Sequence, residues 1–273
     1  CEDRCDGANP VHHCTRFGTC GQSPNPCHER ECVQSVFECS EQGIREAIDA
    51  GGGPHTFDCE GPNTVVTEAE IIIDQNVILD GEGLLTVDGN DDHRVFAVTS
   101  GVSAELARIK VVRGRNREGG GIRNTGTLTL RECEVLANQA TGGAGIDNRA
   151  ALTLIKTLVS RNRADQGTAW GGGISNWGSA TLLESEVSDN YSNYFGAAVD
   201  TPGMLTIRDS VIAENEVGYD GGGITNYGSL FLENSRVSDN TGRAYGGGID
   251  SRSTGLTMLV GTRVVGNSCG DGG

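Results

Sequence analysis

The chain has 273 residues, a formal net charge of −16, and 42 glycines against 6 prolines, with 10 cysteines. So acidic a chain argues against nucleic acid as its main partner, and it has no apolar run near the roughly 20 residues of a membrane-spanning helix. Glycine without proline fits repeated tight turns better than a disordered linker, and the cysteines point to an oxidising compartment, secreted or on the outer cell surface.

Residues 1–40 hold Cys1, Cys5, Cys14, Cys20, Cys27, Cys32 and Cys39 with no hydrophobic periodicity. They read as a small disulfide-rich module. Cys59 brings the number to eight, which leaves the pairing open. His12, His13 and His28 keep zinc as a rival, although no Cys-x-x-Cys pair is present. Starting on Cys1 also admits a lipid anchor. The remainder, 41–273, reads as one capped repeat domain. Residues 41–50 are an amphipathic capping helix with Ile44, Ala47 and Ile48 on one face. Residues 64–114 hold two degenerate coils, from Val65 and Val66 through Leu79 and Val87 to Val111.

Between 119 and 267 one unit recurs six times. A glycine-rich lead-in precedes an aliphatic at Ile122, Ile146, Ile174, Val199, Ile224 and Ile249. A closing Asn follows at Asn138, Asn162, Asn190, Asn215, Asn240 and Asn267, at spacings of 24, 28, 25, 25 and 27. Two further aliphatic columns alternate with polar residues, Leu128 to Leu256 and Leu130 to Met258, which is a strand signal. A fourth runs from Val135 to Val264. Short strands at a fixed period imply stacked coils, because one coil buries too little apolar surface to order itself. Three polar columns fit the stack. They are the closing Asn, a second Asn column at 124, 148, 176 and 226, and a small column from Cys133 to Thr262. Stacked Asn side chains can form ladders, and Asn also tolerates left-handed turns. The expectation is an all-β, right-handed, single-stranded parallel β-helix of about eight coils, about 40 Å long.

The repeat resembles right-handed parallel β-helix proteins of the pectate-lyase-like superfamily. Its Gly-Gly-x-Ile paired with hydrophobic-x-x-Asn (Val237-Ser238-Asp239-Asn240) is similar to repeats of chlamydial polymorphic outer-membrane proteins. Residues 42–50 resemble the capping helix of many bacterial surface proteins. The resemblance implies an exported solenoid. That fold hosts lyases, hydrolases, adhesins and scaffolds alike, so function rests on the residues.

Asp91-Asp92-His93-Arg94 is the densest ionisable cluster of the coils and reads as a polar turn. Asp147, Asp200 and Asp250 follow the first aliphatic column and are expected on a solvated outer face. Arg108, Arg113, Arg115, Arg117, Arg123, Arg149, Arg161 and Arg163 cluster in the early coils and would suit an anionic glycan, with calcium as an admissible bridge. The pectate-lyase and polygalacturonase motifs are missing. Trp170, Tyr194, Phe195, Tyr219 and Tyr245 lie before successive glycine-rich turns, and Trp177 and Tyr227 just after them. With Asp200, Asp220 and Asp250 they form a candidate glycan-binding side; the architectural alternative is that the rings pack the turns. Cys133 and Cys269 sit five coils apart and are not expected to pair. Cys269 and an open C-terminal edge instead suggest self-association head to tail, with Cys269 in an intermolecular disulfide. The expectation is a structural or adhesive surface protein that binds polysaccharide, with a polysaccharide lyase or hydrolase as the rival.

Overall fold

A computed structural model describes residues 35–270 except 220, 253 and 254. Cys1 to Cys32 therefore lie outside the described residues, as does Asp220. The chain winds into a parallel β-helix, and each coil contributes strands to stacked sheets of ten, eight, nine and six strands. The nine-stranded sheet counts the coils: nine, one more than expected, or about 43 Å of stack. The extra coil comes from residues 63–112, which supply three strands of that sheet, starting at Asn63, Leu85 and Lys110, where two coils were expected.

The stack opens with β1 (Ser35–Glu38), inside the stretch assigned to the cysteine-rich module, paired in parallel with β2 (Gly52–Asp58). Between them lies α1 (Glu41–Ala50), the expected helix. Ser40 caps it by accepting from the Gly43 amide at 3.1 Å. Ile44, Ala47 and Ile48 are buried and close the core at that end. Gly43 is required there, since a Cβ would lie 2.1 Å from the Glu38 carbonyl oxygen. The Cys39–Cys59 disulfide ties the two strand ends together.

The aliphatic columns run in register and fill one continuous core, with Leu128, Leu154, Ile207 and Leu232 fully buried. Val66 and the last coil depart from expectation, with Leu256, Met258 and Val264 exposed in the latter. Val66 is half exposed because strand alternation turns it out while Val65 turns in. In the last coil the register moves by one, so that Thr257 and Leu259, rather than Leu256 and Met258, sit opposite Leu230 and Leu232.

The closing Asn residues are internal and form a ladder. Each carboxamide Nδ2 donates to the next coil's Oδ1 at 2.8–3.0 Å, from Asn138 through Asn240 to Asn267. That Oδ1 also accepts the preceding Asn backbone N–H. The left-handed conformation belongs instead to the residue before the Asn: Ala137, Arg161, Asp189, Glu214 and Asp239 all have φ of 54–58°. Asn is thus selected for its amide and not for its backbone freedom. The small column forms a second ladder, in which Thr157, Ser185, Ser210 and Ser235 accept the previous coil's N–H. Cys133 at its head is buried, with its thiol on the Leu106 carbonyl at 3.2 Å. Burial pushes that thiol up to about 12. Cys133 and Cys269 are both free thiols in this chain. Among the described residues no helix is long and apolar enough to cross a membrane.

Candidate functional site

After its closing Asn each coil runs out along a two-residue strand of the six-stranded sheet. It turns at a tip and returns through the glycine triplet to the eight-stranded sheet. The outgoing and returning segments touch backbone to backbone: a Cβ on Gly172 would lie 2.3 Å from the Tyr191 carbonyl oxygen. This makes a narrow lobe with its own small core of Ala140, Ala144, Ala164 and Ala169. Only the first glycine of the triplet is needed for its backbone; Gly143, Gly171, Gly196, Gly221 and Gly246 all have φ between 47° and 70°. The other two positions admit Ala144, Ala197 and Ala198. The candidate rings sit at the tip of the lobe, on its return and at the far corner of the eight-stranded sheet.

Across that sheet runs one outward column: Arg123, Asp147, Ser175, Asp200, Thr225 and Asp250. The expected solvated face is corrected here. Asp147 is 1% and Asp200 4% exposed, while Asp250 is half-buried. The cause is the turn of the triplet, which folds back over the strand that follows it. A Cβ on Gly143 would lie 2.9 Å from the Asp147 Cα, and one on Gly196 2.9 Å from the Asp200 amide nitrogen.

The three carboxylates have different environments. Asp147 takes two hydrogen bonds at 3.0 Å from Arg149 Nε, and Arg123 stands 3.8 Å away. Glu118 bridges both arginines. Burial raises the Asp147 carboxyl above its ordinary range, and the Arg149 hydrogen bond opposes that. Asp250 accepts from Arg252 Nε at 2.7 Å. For Asp200 no donor reaches Oδ1, and the Thr225 hydroxyl next in the column has no partner either. Burial pushes the Asp200 carboxyl up to about 7, opposed only by the charge of Arg252.

The rings are largely packed on one another and on guanidinium groups. Tyr194 stacks on Tyr219 at 4.7 Å and meets Phe195 edge-on at 4.6 Å. Phe195 meets Tyr227 edge-on at 6.3 Å. Arg252 lies over Phe195 at 4.7 Å and over Tyr227 at 5.6 Å. Arg149 lies over Trp177 at 5.1 Å, and Trp177 Nε1 donates to Ser175 Oγ at 3.0 Å. Trp170 lies flush against Gly142, whose Cβ would be 2.7 Å from its Nε1. The loop before Trp170 is pinned to the next coil by Asn193 Nδ2 donating to the Gly167 carbonyl at 3.1 Å. Three rings keep open faces: Trp177 is 47%, Tyr219 43% and Tyr245 64% exposed.

The arginine cluster is mostly paired. Arg108 binds Asp80, Arg113 binds Asp88, and Arg163 binds Asp165 while lying 4.2 Å over Tyr191. Arg115, Arg117 and Arg161 are exposed and make no ion pair among the described residues. At 91–94 each residue serves the turn. His93 bonds the Gly89 carbonyl and Thr67 through its two ring nitrogens, and buried Arg94 bonds the Glu118 and Gly119 carbonyls and Glu70. Among the described residues no three His, Cys, Asp or Glu side chains gather as a metal ion requires. Sequence reading missed the arginines that cover the rings, although Asp-x-Arg at 147–149 and 250–252 was there to find. No protein-family model, curated protein or solved structure matches this chain.

Proposed function

We propose that this protein is an extracellular or cell-surface solenoid of structural or adhesive kind that holds polysaccharide along the flank marked by Trp177, Tyr219 and Tyr245. The observation that carries this reading is the exposure of Trp177, Tyr219 and Tyr245 on a stack whose coils are locked by side-chain ladders. Rings on a rigid backbone lose little entropy when they stack on sugar faces, and half-buried Asp250 supplies a hydroxyl acceptor beside them. The repeat's likeness to pectate-lyase-like and chlamydial surface repeats supports export and a β-helix scaffold. The test is pull-down on immobilised neutral and acidic polysaccharides with the wild type and a Trp177→Ala/Tyr219→Ala/Tyr245→Ala variant. Binding lost in the variant, with circular dichroism unchanged, supports the reading. Binding retained in the variant, or absent from the wild type on every polymer, defeats it.

A further inference from the structure

One column position is solved in two ways along the stack. Asp147 is followed two residues later by Arg149, which holds it; Asp250 is followed by Arg252, which holds that carboxylate. Asp200 is followed by Pro202, which has neither charge nor donor. Its strand neighbours are Ser175 and Thr225, both uncharged. Beyond them lie Asp147 and Asp250, each two coils away and each bound to its own arginine. The charge of Arg252 reaches the Asp200 carboxyl, and Arg252 itself lies over Phe195 and Tyr227; Asp220 lies outside the described residues. Arg252 hydrogen-bonds Asp250 and stacks on two rings. Asp200 is thus 4% exposed with an oxygen that no donor reaches. An ionised carboxylate cannot stay dry and unpaired.

We propose that Asp200 is a proton-operated latch under the aromatic flank. Neutral, it lies buried and unpaired within reach of the charge of Arg252. Ionised, it draws in water or pulls Arg252 off the rings, and the packed cluster loosens. The burial that raises its titration toward 7 puts this change between mildly acidic and mildly alkaline solution. The sign follows. A carboxyl raised in the folded state from the ordinary 3.8 contributes stability that is full below that value and is lost as pH rises through the folded one. Any consequence for glycan binding rests on the proposed function; the latch itself does not.

The experiment compares the wild type with Asp200→Asn and Pro202→Arg by thermal unfolding at pH 5.5 and 8, and follows the wild-type Asp200 carboxyl by ¹³C NMR titration. The latch predicts a wild-type Tm several degrees lower at pH 8 than at pH 5.5. Asp200→Asn removes most of that difference, and Pro202→Arg, which restores the Asp-x-Arg spacing, reduces it as well. An Asp200 carboxyl that titrates near 4, or a pH difference that Asp200→Asn leaves intact, overturns the proposal. The NMR titration needs no variant, so a misfolded mutant does not shield it. Polysaccharide binding at both pH values separates the two readings. Binding without pH dependence at a normal Asp200 removes the latch alone. A shifted Asp200 with no binding removes the glycan reading alone.

Discussion

Asn190→Ala tests the ladder in its middle, with a ladder Asn bonded on either side. The side chain is 1% exposed and makes five hydrogen bonds. Its Nδ2 donates to the carbonyls of Val159 and Ser188 at 2.9 Å and to Asn215 Oδ1 at 3.0 Å. Its Oδ1 accepts from the Asn162 amide at 3.0 Å and from Asn162 Nδ2 at 2.9 Å. Alanine would leave the Asn162 N–H without an acceptor and take a donor from both carbonyls. Asn215 Oδ1 keeps the Asn190 amide, and Asn162 Nδ2 keeps the Val135 carbonyl. With one buried group stranded and two weakened, at about 1–3 kcal/mol for a stranded group, the expected loss is about 2–5 kcal/mol. Asn267→Ala in the last coil provides the internal control. It touches the same kinds of partner at a site where water can replace the amide, so it should cost under about 1 kcal/mol. The assay is urea unfolding followed by circular dichroism. Equal losses for the two variants, or a loss under about 1 kcal/mol at Asn190, would refute the idea that the ladder stabilises by satisfying buried amides.

Leu232→Ala should cost about 2–5 kcal/mol in the same assay, because Leu232 is fully buried with a coil on either side; a loss below about 1 kcal/mol would contradict the continuous core. Cys133 should resist maleimide labelling in the folded protein and react only after unfolding, since its thiol is buried and pushed up to about 12, whereas half-buried Cys269 should label without denaturant. Cys133→Ser should keep the fold, because Ser185, Ser210 and Ser235 already occupy the same column. Arg149→Gln removes the strongest opposition to the upward shift of Asp147. A raised carboxyl loses its stabilising contribution as pH rises through the folded value, so this variant should lose more Tm than the wild type between pH 4 and pH 8, and parallel loss in both would show that Asp147 is not under Arg149 control.

The repeat was readable because a coil uses each residue type for one job. Strand alternation placed Leu130, Leu154 and Leu232 inside, the Asn column is one ladder, and Ile44, Ala47 and Ile48 spelled out the cap. What sequence left open depends on where the chain folds back on itself. Local alternation assigns Asp147 and Asp200 to an outer face, yet the glycine turn of the same coil lies over that face and takes them out of water. Seven aromatic side chains beside the glycine-rich turns could be counted from the sequence. Which of them end with free faces is decided by stacking between coils, so Tyr194, Phe195 and Tyr227 are covered by rings and by Arg252, whereas Trp177, Tyr219 and Tyr245 keep open surface. The sequence by itself determined the coil, because its period and its buried side chains are local to about 25 residues. Only the tertiary structure decided that Asp147 and Asp200 are taken out of water, because that depends on the glycine turn folding back over the strand, whereas the arginines that hold Asp147 and Asp250 stand two residues on in the sequence.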